Sequence, residues 1–282
     1  MKTLCATVLL VSFLHSACIA QVWTSPKNGF YAYASFSISE FNNAYDSAGN
    51  KIPLFPYAIE NQTVQVYGQY GLTNDFTISL KIPYTIQSSK YNGRSGDMSA
   101  LDSLRISELN YFGNIEGGVI YKIKKTNPYV TASLLIETNT SDYNFYAGLA
   151  SGYRSWAMKP GLAFAGTYKK IWYSAYAAGD LRSNDYSSGV TGSAEFGYKP
   201  VAEIFMATSI TLRSSFENGD YCDCDLIPSG LFFNNQEYVA FTLKGGFQFN
   251  EVAINAGYTT AFAGKNIPST PIVTIGFAYK KE

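Results

Sequence analysis

Few residues of this chain have types that do chemistry. Two cysteines stand one residue apart in an acidic segment, Cys222-Asp223-Cys224-Asp225. Exported thiols tend to oxidise, but a Cys-x-Cys bridge closes a very small ring, strained against ordinary disulfide geometry. Free thiols are the second reading. A metal or redox site is the third: two thiolates and two carboxylates could hold a soft metal, although tetrahedral zinc sites use wider spacing and more Cys or His. Nine further charges fall at strand positions of the polar parity: Lys81, Glu116, Lys122, Glu137, Lys159, Glu195, Glu203, Arg213 and Lys244. Five are basic and four acidic. Either they pair with one another and fill a narrow interior, pairing lowering the cost of burying charge, or they line an aqueous or amphipathic passage and select solutes. A selective pore concentrates one sign of charge, so this near balance argues against strong ion selectivity.

The single histidine is His15, in a segment read as a secretory signal peptide over residues 1–20. Lys2 opens it, Leu4 to Leu14 is an apolar run of 11 residues, and small residues precede the expected cut before Gln21. Lipidation at Cys18 is the alternative, but His15 stands where that signal wants an apolar residue. Without the segment, 20 basic residues face 21 acidic ones, Lys2 being its only charge, and no histidine remains. Imidazole-based hydrolysis and His-ligated zinc are then excluded. Neither a catalytic site nor a cofactor is expected. Charge this balanced also argues against a nucleic-acid partner, which calls for a basic excess.

The elements that would carry these residues are strands. From residue 29 onward apolar and polar side chains alternate, most cleanly over 76–87: Phe76, Ile78, Leu80, Ile82, Tyr84 and Ile86 share one face, and Thr77, Ser79, Lys81, Pro83, Thr85 and Gln87 the other. Period two places alternate side chains on opposite faces of a strand. The same pattern recurs over 29–39, 63–72, 113–123, 129–138, 156–168, 171–180, 189–199, 202–213, 238–249, 252–262 and 271–279, which makes twelve strands. Short connections (73–75, 124–128, 169–170, 199–201, 250–251) alternate with long ones (40–62, 88–110, 139–155, 181–188, 214–237, 263–270). An even strand number, short turns on one side and long loops on the other are the plan of an outer-membrane β-barrel.

A soluble β-sandwich also has many strands, but these are long, close to the 9–11 residues of a tilted membrane-crossing strand. Aromatic residues suited to a bilayer interface cluster near strand ends, as in Trp23, Tyr84, Trp156, Tyr168, Trp172, Tyr198, Phe249 and Tyr279. The polar faces hold Ser, Thr, Gly and Gln rather than solvent-facing Lys and Glu. The expected fold class is therefore all-β, a single antiparallel twelve-stranded transmembrane barrel over 21–282 in a Gram-negative outer membrane. Roughly eight strands pack solid and 16–18 leave a channel, so twelve allow either a narrow lumen or a plugged one.

Three stretches carry a family resemblance. The segment Gln21-Val22-Trp23-Thr24-Ser25-Pro26-Lys27-Asn28-Gly29-Phe30-Tyr31 resembles the start of a Bacteroidetes-type outer-membrane barrel family. Tyr67-Gly68-Gln69-Tyr70-Gly71-Leu72-Thr73-Asn74-Asp75-Phe76-Thr77-Ile78, followed by Lys81-Ile82-Pro83-Tyr84, resembles a hairpin of the proteins associated with meta-pathway phenol degradation, grouped with FadL-like transporters of hydrophobic compounds. Asn114-Ile115-Glu116-Gly117-Gly118-Val119-Ile120-Tyr121-Lys122 resembles that family's next strand, with Asn114 where Gly-Asp would stand. The resemblance implies the barrel and a transport role, and identifies no ligand. The expected partners are outer-membrane lipid and a small hydrophobic or amphipathic solute. The competing expectation is a non-transporting structural or adhesive barrel acting through Asn-, Ser-, Tyr- and Gly-rich outer loops.

Overall fold

The computed structural model describes residues 23–53, 57–91, 106–144, 147–221 and 232–281. The wall consists of β1 (Phe30–Phe41), β2 (Tyr57–Gly71), β3 (Phe76–Tyr91), β4 (Glu108–Phe112 and Glu116–Lys124), β5 (Tyr129–Glu137), β6 (Ala157–Tyr168), β7 (Ile171–Arg182), β8 (Gly189–Tyr198), β9 (Ile204–Ser215), β10 (Glu237–Phe249), β11 (Val252–Lys265) and β12 (Ile272–Lys281). Each strand pairs antiparallel with its sequence neighbours, and β1 pairs with β12, so the sheet closes on itself. The two pieces of β4 occupy one wall position, because both pair with β3: Tyr84–Ser88 with 108–112, and Phe76–Lys81 with 116–121. The result is a closed barrel of twelve strands. In lipid closure is obligatory, since an open edge would leave N–H and C=O groups unpaired. No helix among the described residues is long and apolar enough to cross a membrane; the crossing elements are strands.

The alternation sets which face is which. Val66, Leu80, Val119, Leu134, Leu162, Phe196, Ile210, Leu243 and Phe277 all point out of the wall and are exposed, as a lipid-facing belt requires. Several strands run past their expected ends. β2 starts at Tyr57 rather than residue 63, and its pairing with β3 persists to Tyr57↔Tyr91. Above the bilayer the outward positions no longer need to be apolar, so the alternation fades while the hydrogen-bond ladder continues. The fourth expected strand, 113–123, instead starts at Glu116, and its wall position is continued by Glu108–Phe112, from the expected loop 88–110, with a break at 113–115. There the chain after β5 takes over the pairing: Thr138 N–H donates to the Ile115 carbonyl (2.8 Å), Ile115 N–H to Thr140 Oγ1 (3.0 Å), and Ser151 Oγ to the Phe112 carbonyl (2.8 Å). Asn114, the departure from the family pattern, ties this segment to the wall, its Nδ2 donating to the carbonyls of Thr138 (2.6 Å) and Tyr153 (2.7 Å).

Two of the short turns use left-handed backbone, one of them at Lys169 (φ 54°). Asn250, between β10 and β11, has φ 50°, a conformation Asn tolerates better than most residues. On the opposite side, three short strands (Asn43–Tyr45, Lys51–Pro53 and Ile267–Pro268) form a small sheet above the wall. In the loop between the first two, the N–H groups of Asn50 (2.8 Å) and Ala48 (2.9 Å) donate to Asp46 Oδ1 and hold its carboxyl below the usual range.

The core lies inside the barrel. At the loop end Phe41, Ile59, Leu109, Ala147 and Leu149 cluster. At the turn end Tyr33 and Tyr67 pack with Ala278, and Trp23 meets Tyr129 edge to face at 5.7 Å. Large inward rings sit over glycines of the neighbouring strand. Trp172, expected at the lipid interface, instead points inward over Gly197, where a Cβ would come within 2.0 Å of the indole, and its Nε1 donates to Glu195 (2.8 Å). Period two dictates this, since Ile171 and Tyr173 take the outward parity. Gly197→Val is expected to displace the indole and to lower stability in urea by about 1–3 kcal/mol, the range for overpacking. A loss below a few tenths of a kcal/mol would show that the ring has room to move.

Candidate functional site

Strand register brings seven charges into one ladder across the inner wall. Lys81 lies opposite Glu116, and Glu116 opposite Glu137. Two carboxylates facing each other on adjacent strands repel, and the ladder resolves this with cations. Lys81 Nζ is 3.0 Å from Glu116 Oε1. Lys159 Nζ is 2.7 Å from Glu116 Oε2 and also pairs with Glu137. Arg182 Nη1 reaches Glu137 Oε1 at 3.3 Å, while its Nη2 and Nε donate to Asp180 Oδ2 at 2.9 and 3.1 Å. Arg213 pairs with that same Asp180 oxygen. Arg182 and Asp180 are almost fully buried, their side chains 3% and 2% exposed.

A cavity of about 380 Å³ opens along the ladder. Hydroxyls of Thr211, Thr242 and Thr259 and apolar groups of Phe41, Ala240 and Ile272 also line it. Its roof is built from folded-in loops. Tyr153 sits at the centre: the Arg182 guanidinium lies 3.7 Å from its ring, Tyr186 and Phe232 meet it edge to face at 5.5 and 5.3 Å, and its hydroxyl bonds Gln236. Gln236 Nε2 in turn donates to the Asn266 carbonyl (2.8 Å). The loop carrying Tyr153 is itself buried at Ala147, Leu149, Ala150, Ser151 and Ser155, so it lies in the barrel mouth rather than over it.

Of the nine charges picked out by parity, Lys81, Glu116, Glu137, Lys159 and Arg213 face this cavity. Glu195 and Lys244 form a separate pair, 2.5 Å apart, with Trp172 as third partner. Lys122 lies near the turn end of β4, away from the cavity. Glu203 is not on the wall: β9 begins at Ile204, not residue 202, so Glu203 belongs to the preceding turn, its side chain exposed and its carbonyl accepting Gln248 N–H (2.7 Å). Cys222 and Cys224 lie outside the described residues. Parity reasoning missed Asp180, Arg182 and Tyr153. The inward set of β7 (Trp172, Ser174, Tyr176, Ala178, Asp180) runs on to Arg182, so two more residues of alternation would have found the arginine. Tyr153, in a loop, left no such signal. Among the described residues no three His, Cys, Asp or Glu side chains stand close enough to hold a metal, and each ladder carboxylate is committed to a cation.

No family model matches the chain, and no curated protein matches it. Its fold has relatives among solved structures. An outer-membrane channel from Pseudomonas putida F1 superposes with a TM-score of 0.68 at 14% identity, covering 90% of this chain and 96% of that one. The translocator domain of the autotransporter NalP from Neisseria meningitidis gives 0.51 at 8% identity, covering 93% and 92%. The KdgM porin in complex with disordered oligogalacturonate gives 0.50 at 8%, covering 88% and 98%. The fold is therefore that of an outer-membrane β-barrel, one shared by channels and porins. With the Pseudomonas channel the likeness runs over nearly the whole of both chains.

Proposed function

We propose that this barrel conducts a small apolar or amphipathic solute across the outer membrane. The observation that carries this reading is the cavity beside the ladder. A barrel wall whose charges served only as filling would have no reason to leave about 380 Å³ open along them, a volume within the usual 300–1,000 Å³ of small-molecule sites. The cavity is charged along one side and hydroxylic or apolar on the other, which suits an amphipathic guest. The resemblance of the Tyr67–Tyr84 hairpin to proteins associated with phenol degradation supports the same solute class. Near-balanced charge argues against a general ion pore.

Solute flux into liposomes containing the purified protein tests this. Small amphipathic solutes should enter, and flux should respond to Lys81→Gln severalfold, because Lys81 faces the cavity. Lys244→Gln, whose partner Glu195 lies outside it, should alter stability and leave flux near its original value. No flux of any solute would sink the channel reading in favour of a non-transporting barrel acting through its outer loops.

A further inference from the structure

Among the described residues, four cations (Lys81, Lys159, Arg182 and Arg213) and three carboxylates (Glu116, Glu137 and Asp180) line the cavity. Among these described residues one positive charge is in excess, and the pairing shows where. Lys81 has Glu116 Oε1 to itself, Lys159 bridges Glu116 and Glu137, and Arg182 bridges Glu137 and Asp180. Arg213 and Arg182 both pair with Asp180 through its Oδ2, while Asp180 Oδ1 is buried without a donor. Arg213 Nε is buried without an acceptor. A charge held out of water without a full counter-charge is costly, and a planar guanidinium is matched by a carboxylate.

We propose that the cavity is a binding site for a small amphipathic monoanion, a carboxylate on a compact apolar body. The carboxylate pairs with Arg213, and the body lies against Phe41, Ile267 and Ile272, which line the same cavity. The guest supplies the fourth negative charge that the ladder lacks. This rests on the channel reading and narrows its solute class. A neutral guest of the same shape leaves Arg213 as it was, so the site distinguishes the two by charge.

The test is titration calorimetry on the folded barrel in detergent, with benzoate, its neutral isostere benzamide, and benzylammonium. Benzoate should bind about tenfold or more tightly than benzamide, as expected of a charge-assisted hydrogen bond, and benzylammonium should bind most weakly. Arg213→Gln should abolish the preference for benzoate. Should that variant not fold, Thr191→Asp serves instead: Thr191 lines the cavity directly opposite Arg213 on β8, so an aspartate there supplies the missing charge internally and should erase the preference. Equal binding of benzoate and benzamide to the original protein overturns the proposal, as does a preference that survives Thr191→Asp. Flux of neutral solutes without a benzoate preference overturns this site and leaves the channel standing. Benzoate binding without flux of any solute does the reverse.

Discussion

Asp180→Asn is expected to destabilise the folded barrel by about 3–5 kcal/mol, the cost of removing one partner from a buried ion pair. A single carboxylate oxygen of Asp180 serves two guanidiniums, accepting from Nε and Nη2 of Arg182 and pairing with Arg213. Asparagine is nearly the same size, so the loss is one of charge and not of volume. It leaves Arg213 with no carboxylate and Arg182 with Glu137 alone at 3.3 Å. The ladder is continuous, so the excess charge cannot be absorbed by a neighbour without stripping another pair. Urea titration in detergent, read as the heat-dependent shift in gel mobility of the folded barrel, gives the value. Glu217→Gln is the control: its contact with Lys265 spans 3.7 Å at the exposed rim, and such pairs contribute about 0–1 kcal/mol. Equal, small losses from the two variants would mean that the ladder is solvated and its charges are not held together by necessity.

Tyr153→Ala is expected to raise solute flux ten- to hundredfold while leaving the wall folded. The ring makes two edge-to-face contacts, each about 0.5–1.5 kcal/mol, and a buried cation–π contact of about 2 kcal/mol, so the roof loses roughly 3 kcal/mol of anchoring. Each 1.4 kcal/mol shifts an equilibrium about tenfold, and part of the loss will be recovered as the loop resettles. Tyr153→Phe keeps the ring over Arg182 and between Tyr186 and Phe232, and gives up only the hydroxyl bond to Gln236; its flux should stay near the original. Unchanged flux in a folded Tyr153→Ala protein would show that the roof is held elsewhere, for instance by Asn114 and Gln87. Gln87 Nε2 donates to the Ala150 carbonyl (2.8 Å), and Gln87 Oε1 accepts the Ala150 N–H (3.0 Å).

The two expected results divide along the line between what was legible in the residues and what was not. The wall was legible. Each outward residue of a strand, such as Leu80, Leu134 or Phe277, answers to lipid on its own, and each inward one to the lumen, so period two writes the barrel into any ten consecutive strand residues. The same rule placed Lys81, Glu116, Glu137, Lys159 and Arg213 inside without reference to any partner. It failed where the local demand ended. Glu203 falls in a strand expected from residue 202 that starts at Ile204, and β4 is expected from 113, without the piece at 108–112, because nothing in 113–115 announces that Thr138, Thr140 and Ser151 will pair there and let the strand resume beyond the break.

The order of residues alone thus specifies the closed twelve-stranded wall, its lipid face and the sign of each inward charge. Which charges meet was settled by the assembled barrel. Glu116 and Glu137 lie 21 positions apart along the chain, and only the register between β4 and β5 sets them face to face, just as only the folding-in of a loop sets Tyr153 on Arg182. The difference comes from the range of the forces involved. Burial against lipid acts on one residue at a time and leaves its period in the chain, whereas ion pairing and loop packing depend on the separation of groups brought together from distant strands, which no local pattern records.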